Sequence, residues 1–477
     1  MSKLPANWIH TPIGEIVELN PRNEVADDTI VGFTPMPLLG KSFRETPTFE
    51  PRLWREVKKG YTHFIDGDVL LAKITPCFEN GKAGIPLGLP NGIGAGSTEY
   101  FVCRTNSSVI LSKYLLAYFK TVNFLRYGES AMTGSVGHKR VPKNYILETK
   151  IPLAPLNEQK RIADKLDRLL SRVDACRERC DRIPLILKHF RQSVLAAATS
   201  GELTEDWRGE NFNIESASDL LIRLQEQFRG NFIHRIWTSP EEKGSEALPE
   251  SWLYVPVKAV GEVYLGRQRS PKNHNGPNMR PYVRAANITW TGWDFSDVKE
   301  MNFDPPDFER YRLRVGDVLI NEGSGSADEV GKPAIWKGEI ENCCFQNTLI
   351  CVRPYEDMSE YLYLVFLQAA LSKAFVEATR GINIHHIGKE RFAAFLIPFP
   401  PLEEQQEIVR RVEKLFAFVD RLEARYQTAR AQVDRLTPAL LDKAFRGELV
   451  PQEPNDEPAS VLLARIRAEQ DASSTGF

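Results

Sequence analysis

The sequence predicts a mixed α/β (α+β) protein in which two globular domains are separated by two long helices, the whole laid out as an internal duplication. Three observations carry this. Residues 151–159 (IPLAPLNEQ) and 397–405 (IPFPPLEEQ) are near copies. Residues 200–203 (SGEL) and 446–449 (RGEL) repeat at the same offset, so 151–203 aligns with 397–449 without a gap and with 16 identities. Both aligned stretches carry apolar residues at alternating steps of four and three, the signature of a helical seam.

The duplication reaches further out. LPANW (4–8) pairs with LPESW (248–252), and GDVLLAKI (67–74) with GDVLINEG (316–323). Tyr114-Leu115 pairs with Tyr361-Leu362, and ASDLL (217–221) with ASVLL (459–463). A repeat of this length is a structural unit written twice.

Taken in order, residues 1–150 form the first globular domain. Short apolar stretches such as FIDGDVLLAKI and EYFVCRT, broken by Gly, Pro and Asn, read as strands and turns, and 112–127 as a helix. Residues 151–208 hold the first long helix. Its seam runs Ile162, Leu166, Leu169, Val173, Cys176, Cys180, Ile183, Leu187, Phe190, Val194. Residues 209–247 are polar and read as a linker with a short amphipathic helix at 218–229. Residues 248–396 form the second globular domain, with strands in VGDVLINEG and TLICVRP and a helix at 359–375. Residues 397–450 hold the second long helix, with seam Ile408, Val412, Leu415, Val419, Leu422, Tyr426, Ala429, Val433, Leu436, Leu440. Residues 451–477 are a C-terminal tail with a short helix.

Each long helix follows a proline-containing stretch and stops near a glycine, Gly201 or Gly447, as helix-end chemistry favours. About 40 residues at 1.5 Å each give roughly 60 Å. Pro184 and Pro438 should kink them locally. Separate bundles would also satisfy the two seams, but pairing them with each other, as an intramolecular coiled coil, is simpler. Cys176 and Cys180 then read as small core residues.

Composition narrows the function. The chain has 477 residues, room for two to four domains. Apolar residues are 42%, and 61 Lys+Arg nearly cancel 63 Asp+Glu. A disordered chain is excluded, and so is a protein that holds nucleic acid by net charge alone. Residues 1–150 carry 18 basic against 14 acidic side chains, so phosphate binding must come from local patches. No apolar run is long enough for a membrane helix, and the N-terminus lacks an apolar signal core. The seven cysteines contain no Cys-x-x-Cys pair. Neither a zinc site nor a disulfide framework is expected, which suits a reducing cytoplasm.

Motifs that look catalytic fail on spacing. GSGSADEVGK (323–332) is one residue too long for a phosphate loop and has Pro333 where a magnesium-binding hydroxyl belongs. GIGAGS (92–97) has no suitable helix after it. FDPPDF (303–308) is similar to the Asn/Asp-Pro-Pro-aromatic motif of amino-methyltransferases, but Asp307 replaces the base-stacking aromatic; it reads as a turn. No metal site and no catalytic residue is expected.

What remains are polar and basic loops between strands. In the first domain they carry Lys73, Thr75, Asn80, Lys82, Ser135, His138 and Lys139. In the second they carry Arg267, Arg269, Lys272, Asn273, Asn287, Asn321, Ser324, Ser326, Lys332, Gln346, Asn347 and His385. Lys and Arg suit phosphates and guanine, Asn and Gln suit adenine. Singly, each is an ordinary solvated loop residue; as a set they point to double-stranded DNA.

The paired IPLAPLNEQ and IPFPPLEEQ openings, the helices ending in SGEL and RGEL, and the GDVL strands within two dissimilar domains together resemble the specificity subunit of type I restriction-modification systems. The resemblance spans almost the whole chain, and the twice-occurring "PL-x-EQ" helix start is its specific mark. It implies two target-recognition domains that each read half of a split DNA site. It implies an antiparallel coiled-coil spacer that docks two modification (methyltransferase) subunits. With restriction (endonuclease/translocase) subunits, the complex would methylate adenine or cleave DNA. S-adenosylmethionine, ATP and Mg would belong to those partners, with no cofactor and no catalysis in this chain. Two unlike domains imply an asymmetric bipartite target. A standalone DNA-binding coiled-coil scaffold, without methyltransferase partners, is the alternative architecture.

Overall fold

The computed structural model describes residues 4–135, 137–229, 248–324, 329–377 and 385–474. The chain packs as two units. One comprises Met1–Arg182 with Tyr426–Phe477, the other Ile183–Arg425. Each unit therefore holds one globular domain and one half of each long helix, Leu156–Ser200 and Leu402–Phe445. The helices run antiparallel within each unit, so the start of one lies with the end of the other. Each helix continues through its proline, Pro184 or Pro438.

The two domains share a sheet plan. In the first, Val17–Leu19, Tyr100–Thr105, Val69–Ala72 and Ala83–Gly84 form one antiparallel sheet in that order. In the second, the matching sheet is Gly261–Leu265, Leu349–Pro354, Val318–Asn321, Pro333–Ile335. A smaller sheet follows in each. Its centre is a parallel pair, Ile30–Thr34 with Ile93–Gly96 in the first domain and Met279–Val283 with Cys344–Phe345 in the second. The strand entering each domain pairs with the strand leaving it: Ile9–Pro12 with Lys150–Leu153, and Leu253–Pro256 with Leu396–Phe399.

The conserved-looking GDVL stretches have a structural reason. Asp68 is buried and accepts from Ile65 N at 2.8 Å and from Arg104 Nη2 at 2.9 Å. Asp317 repeats this with Arg314 N at 2.8 Å and Arg353 Nη2 at 2.7 Å. A buried carboxylate needs such partners. The helix read at 112–127 is two, Ser112–Phe119 and Val122–Ala131, and that at 359–375 is Ser359–Leu371 with a short turn after it.

The repeated motifs clasp one another. At the start of the first long helix, buried Glu158 accepts from Trp8 Nε1 at 2.9 Å and from Gln452, which lies beyond the end of the second. At the start of the second, buried Glu404 accepts from Trp252 Nε1 at 2.8 Å, Thr204 Oγ1 at 2.7 Å and Arg208 Nη1 at 2.6 Å, the last two from beyond the end of the first. Gln159 Nε2 and Gln405 Nε2 each donate at 2.9 Å to the carbonyl five residues back, Ala154 or Pro400. Gly201 and Gly447 have left-handed φ of 88° and 73°. A Cβ at Gly201 would collide with Pro249, and one at Gly447 with Pro5. The GEL stop of one helix thus seats the LP-x-x-W segment that leads into the opposite motif.

Several expectations need correction. Ile162, Leu166, Val173, Ile408, Val412 and Val419 are buried, but Leu169 and Leu415 are only half-buried, and Leu170 takes the core position instead. Cys176, expected in the seam, is exposed. The reason is that burial is deepest where the helices pack on a domain. Midway, two helices alone leave their flanks to water, and charged pairs bridge them: Arg177–Asp434 at 3.3 Å and Arg191–Asp420 at 2.8 Å. The helix expected within the linker is present as Ala217–Arg229, and its Ala217, Leu220, Leu221 and Leu224 join the second core beside Val194, Ile408 and Val412. The tail helix, Ala459–Ser474, likewise packs Leu462, Leu463 and Ile466 into the first core beside Leu166 and Leu441. Neither is free, because each has an apolar face that a lone helix of this length would leave wet.

Replacing Glu404 by Ala strands two buried donors, Trp252 and Thr204, and the half-buried Arg208, and should lower stability by about 3–5 kcal/mol in urea titration. Leu166→Asp and Val412→Asp should each cost more than Leu169→Asp, since only the first two positions are sealed from water.

Candidate nucleic-acid interface

In the first domain the expected loop residues come together through backbone hydrogen bonds. Thr75 N donates to Lys139 O at 3.0 Å and Val141 N to Lys73 O at 2.9 Å, laying segment 133–140 beside 73–75. The Thr75–Pro76 peptide is cis, and the turn after it is anchored by buried Phe78. Asn80, at its tip, is exposed. Ser135, His138 and Lys139 are exposed as well. Other side chains are already engaged. Lys82 Nζ donates to Met36 O at 2.8 Å, Thr75 Oγ1 to Glu79 Oε1 at 2.6 Å, and Lys73 Nζ lies 5.6 Å from the Phe101 ring centre. The free donors on this surface are therefore Asn80, Ser135, His138 and Lys139 rather than Lys82.

Arg140 is not among the individual loop residues named above, although it ends the GSVGHKR loop (134–140) that carries three of them. Its guanidinium grips Glu99 at 2.7 Å and holds that carboxyl below the usual range. The exposed guanidinium and the half-buried carboxylate tie Arg140 to Glu99, in the turn before strand Tyr100–Thr105.

In the second domain the hub is segment 346–348. Gln346 N donates to Val283 O at 2.9 Å and Asn347 N to Arg267 O at 3.1 Å. Thr348 accepts from Ala285 N and Glu322 N, both at 3.0 Å. Ile387 N then donates to Glu322 O at 2.9 Å, and strand Gly323–Ser324 pairs with His385–His386. Gln346 and Asn347 are half-buried, while Arg269 and Lys272 are exposed and Asn273 half-buried on a neighbouring loop.

Four expected contacts have other work. Arg267 is ion-paired to Asp307 at 2.7 Å and lies over Phe303 at 4.9 Å. That pair also explains the FDPPDF segment, which is the start of helix Pro305–Tyr311 rather than a turn. Asn287 is buried; it accepts from Arg284 N at 3.0 Å and donates to Asp294 O at 2.9 Å, closing its own turn. Asn321 is buried and donates to Glu329 O at 3.2 Å. Lys332 is buried, bonded to Glu329, with its amine 5.9 Å from the Trp290 ring centre. Buried polar groups with internal partners hold loops; they do not reach phosphates. Ser326 lies outside the described residues. Of Ser324 and His385 the backbone pairing is what is described.

Trp290 lies in the same loop region as Asn287. It is 40% exposed on a tight hairpin formed by Ile288–Thr289 and Gly292–Trp293. Trp293 anchors that hairpin by donating to Ile335 O at 2.8 Å. Among the described residues no group of three or more His, Cys, Asp or Glu is placed to hold a metal, and no helix is long and apolar enough to cross a membrane.

A family model described as the type I restriction modification DNA specificity domain matches residues 58–183 and 249–429, one segment for each half of the duplication. The chain belongs to the type I restriction-modification specificity subunit family. The EcoAI specificity subunit of Escherichia coli is 31% identical over 495 residues, covering 93% of this chain and 83% of its own. The EcoKI specificity subunit of Escherichia coli K12 is 31% identical over 370 residues, covering 75% and 72%. Two solved structures share the fold at 22% identity. A chain described in terms of complex assembly and conformational transition of the type I R-M system superposes with TM-score 0.64 over 94% of this chain and 100% of its own. The HsdS subunit of Thermoanaerobacter tengcongensis superposes with TM-score 0.60 over 94% and 98%. In this specificity subunit the matched helices carry the clasp glutamates, and the loops described above lie on the globular domains.

Lys139→Ala should weaken binding to all DNA sequences alike and lower the salt slope by about one, if its ammonium meets a phosphate. Asn287→Ala should instead lower stability, by about 1–3 kcal/mol, by stranding its turn. Binding titrations at several salt concentrations, with parallel melting curves, separate the two outcomes.

Proposed function

We propose that this specificity subunit reads an asymmetric, bipartite double-stranded DNA target, one half per domain, and carries the subunits that act on it. The observation that carries this reading is the pairing of like and unlike parts. The Glu–Trp core of the clasp, the Asp–Arg pairs and the sheet plan are the same in both halves. The loops are not: the first domain presents Asn80, Ser135, His138 and Lys139, and the second Arg269, Lys272, Gln346 and Asn347. One chain with two-fold repetition imitates a homodimer, and a dimer reads two half-sites. Unlike loops on a shared frame make the two half-sites different.

The long helices supply the docking surface for two modification subunits. Leu185 and Ile186 are 56% and 60% exposed, and Phe190 and Phe418 are exposed as well. Apolar side chains left wet on a helix pair suit a partner surface. Restriction subunits complete the assembly, which methylates adenine or cleaves DNA. In this reading S-adenosylmethionine, ATP and Mg are bound by the partner subunits in the cytoplasm, and this chain contributes recognition without catalysis.

Domain replacement tests the proposal. Residues 1–150 are exchanged for the matching domain of a relative, and the methylated motif is read by methylome sequencing. One half of the motif should change while the other half and the spacing persist. A swap that alters both halves refutes independent reading. In parallel, the purified chain with labelled S-adenosylmethionine and DNA should show no methyl transfer until modification subunits are added; turnover by the chain alone overturns the assignment.

A further inference from the structure

We propose that Lys120 is the positioning residue of the first recognition domain: it fixes the loop that carries Asn80 without itself touching DNA. This rests on the reading of the 73–82 and 133–140 loops as the DNA-facing surface. Lys120 caps helix Ser112–Phe119. Its amine reaches between two separate segments and donates to three main-chain oxygens, Lys41 O at 2.8 Å, Gly81 O at 2.6 Å and Ala83 O at 2.7 Å. An ammonium has three N–H groups, and here each has one carbonyl. Gly81 and Ala83 flank Lys82 and follow Asn80 directly, so the knot sets where the turn over 76–82 points.

The second segment, 41–45, is itself fixed. Glu45 Oε2 accepts from Lys41 N at 2.8 Å, and Arg44 pairs with Asp167 at 3.2 Å and Asp174 at 3.5 Å on the first long helix. Lys120 thus joins the recognition turn to a segment bolted to that helix. The second domain does not repeat the lysine at the aligned position. The duplication places Leu367 at this position, and it packs against the second core. The inference is therefore specific to one half-site.

The protonation state gives a handle that a purely structural lysine lacks. Burial pushes the Lys120 amine down to about 7, opposed by the charge of Glu45, the ionised side chain that acts on it. Below that pH the three N–H groups match three oxygens. Above it a neutral amine has two N–H groups and turns a lone pair on the third carbonyl. The turn then loses one of its ties, and discrimination between base sequences at the first half-site should fall as pH rises through about 7.

The experiment uses the full chain assembled with its modification subunits. It measures relative affinity for its own target against duplexes with one base changed in the first or the second half, from pH 6 to 8.5. In the wild type, first-half discrimination should decline across that range while second-half discrimination stays level. Lys120→Met should cost about tenfold of first-half discrimination at pH 6, within the span that one base contact is worth, and should abolish the pH dependence. Lys120→Gln, with two N–H groups, should fall between. Unchanged discrimination in Lys120→Met, equal loss in both halves, or a level wild-type profile would each overturn the proposal. If neither variant assembles, a level wild-type profile still overturns the proposal. Failure of the underlying reading looks different: Asn80→Ala and Lys139→Ala would then leave DNA binding untouched, whereas failure of this proposal preserves their effects.

Discussion

Everything in this molecule hangs on a carboxylate buried at the start of each long helix. Glu158 and Glu404 are almost wholly removed from water. A carboxylate so placed is costly unless every strong acceptor site is met. Each is met by a tryptophan from the chain entering the domain and by side chains beyond the far end of the other helix. No segment can satisfy its own glutamate. The helix start, the opposite helix end and the domain entrance must therefore come together at once, and the same solution is used twice.

That constraint frees the rest. Because the clasp, the entering and leaving strands and the Asp68–Arg104 and Asp317–Arg353 pairs hold each domain, the loops facing away from them need only be compatible with the frame. The first domain supports its loops with a lysine knot. The second supports its loops with Thr348, Asn287 and the Arg267–Asp307 pair. The same frame carries two unrelated ways of fixing a loop. Such a separation means that a change in a loop leaves the helix surface alone.

Charge follows the same division. A chain of net charge −2 cannot hold DNA through its overall field. Much of its basic content is spent internally, as with Arg104, Arg208, Arg267 and Arg353. What faces outward is a small remainder on the loops, such as Lys139, Arg269 and Lys272. Specific affinity then depends on placing a few groups well, which is why residues that tie down loops matter as much as those that point outward.

The sequence by itself determined the duplication, the two long helices, the fold class and the family. These are written in short-range periodicity and in motifs that occur twice, so each copy confirms the other. It also located the loops, since Gly, Pro and Asn between apolar stretches mark turns whatever packs beside them. Only the tertiary structure decided which loop side chains are available. Lys332 and Lys139 look alike in sequence, yet one is buried against Glu329 beneath Trp290 and the other is exposed. Leu169 and Leu166 fit the same heptad, but only Leu166 is sealed, because a domain and a third helix cover it. The reason is the same in each case. Availability and burial depend on which distant segment lies across a residue, and neither spacing nor composition records that.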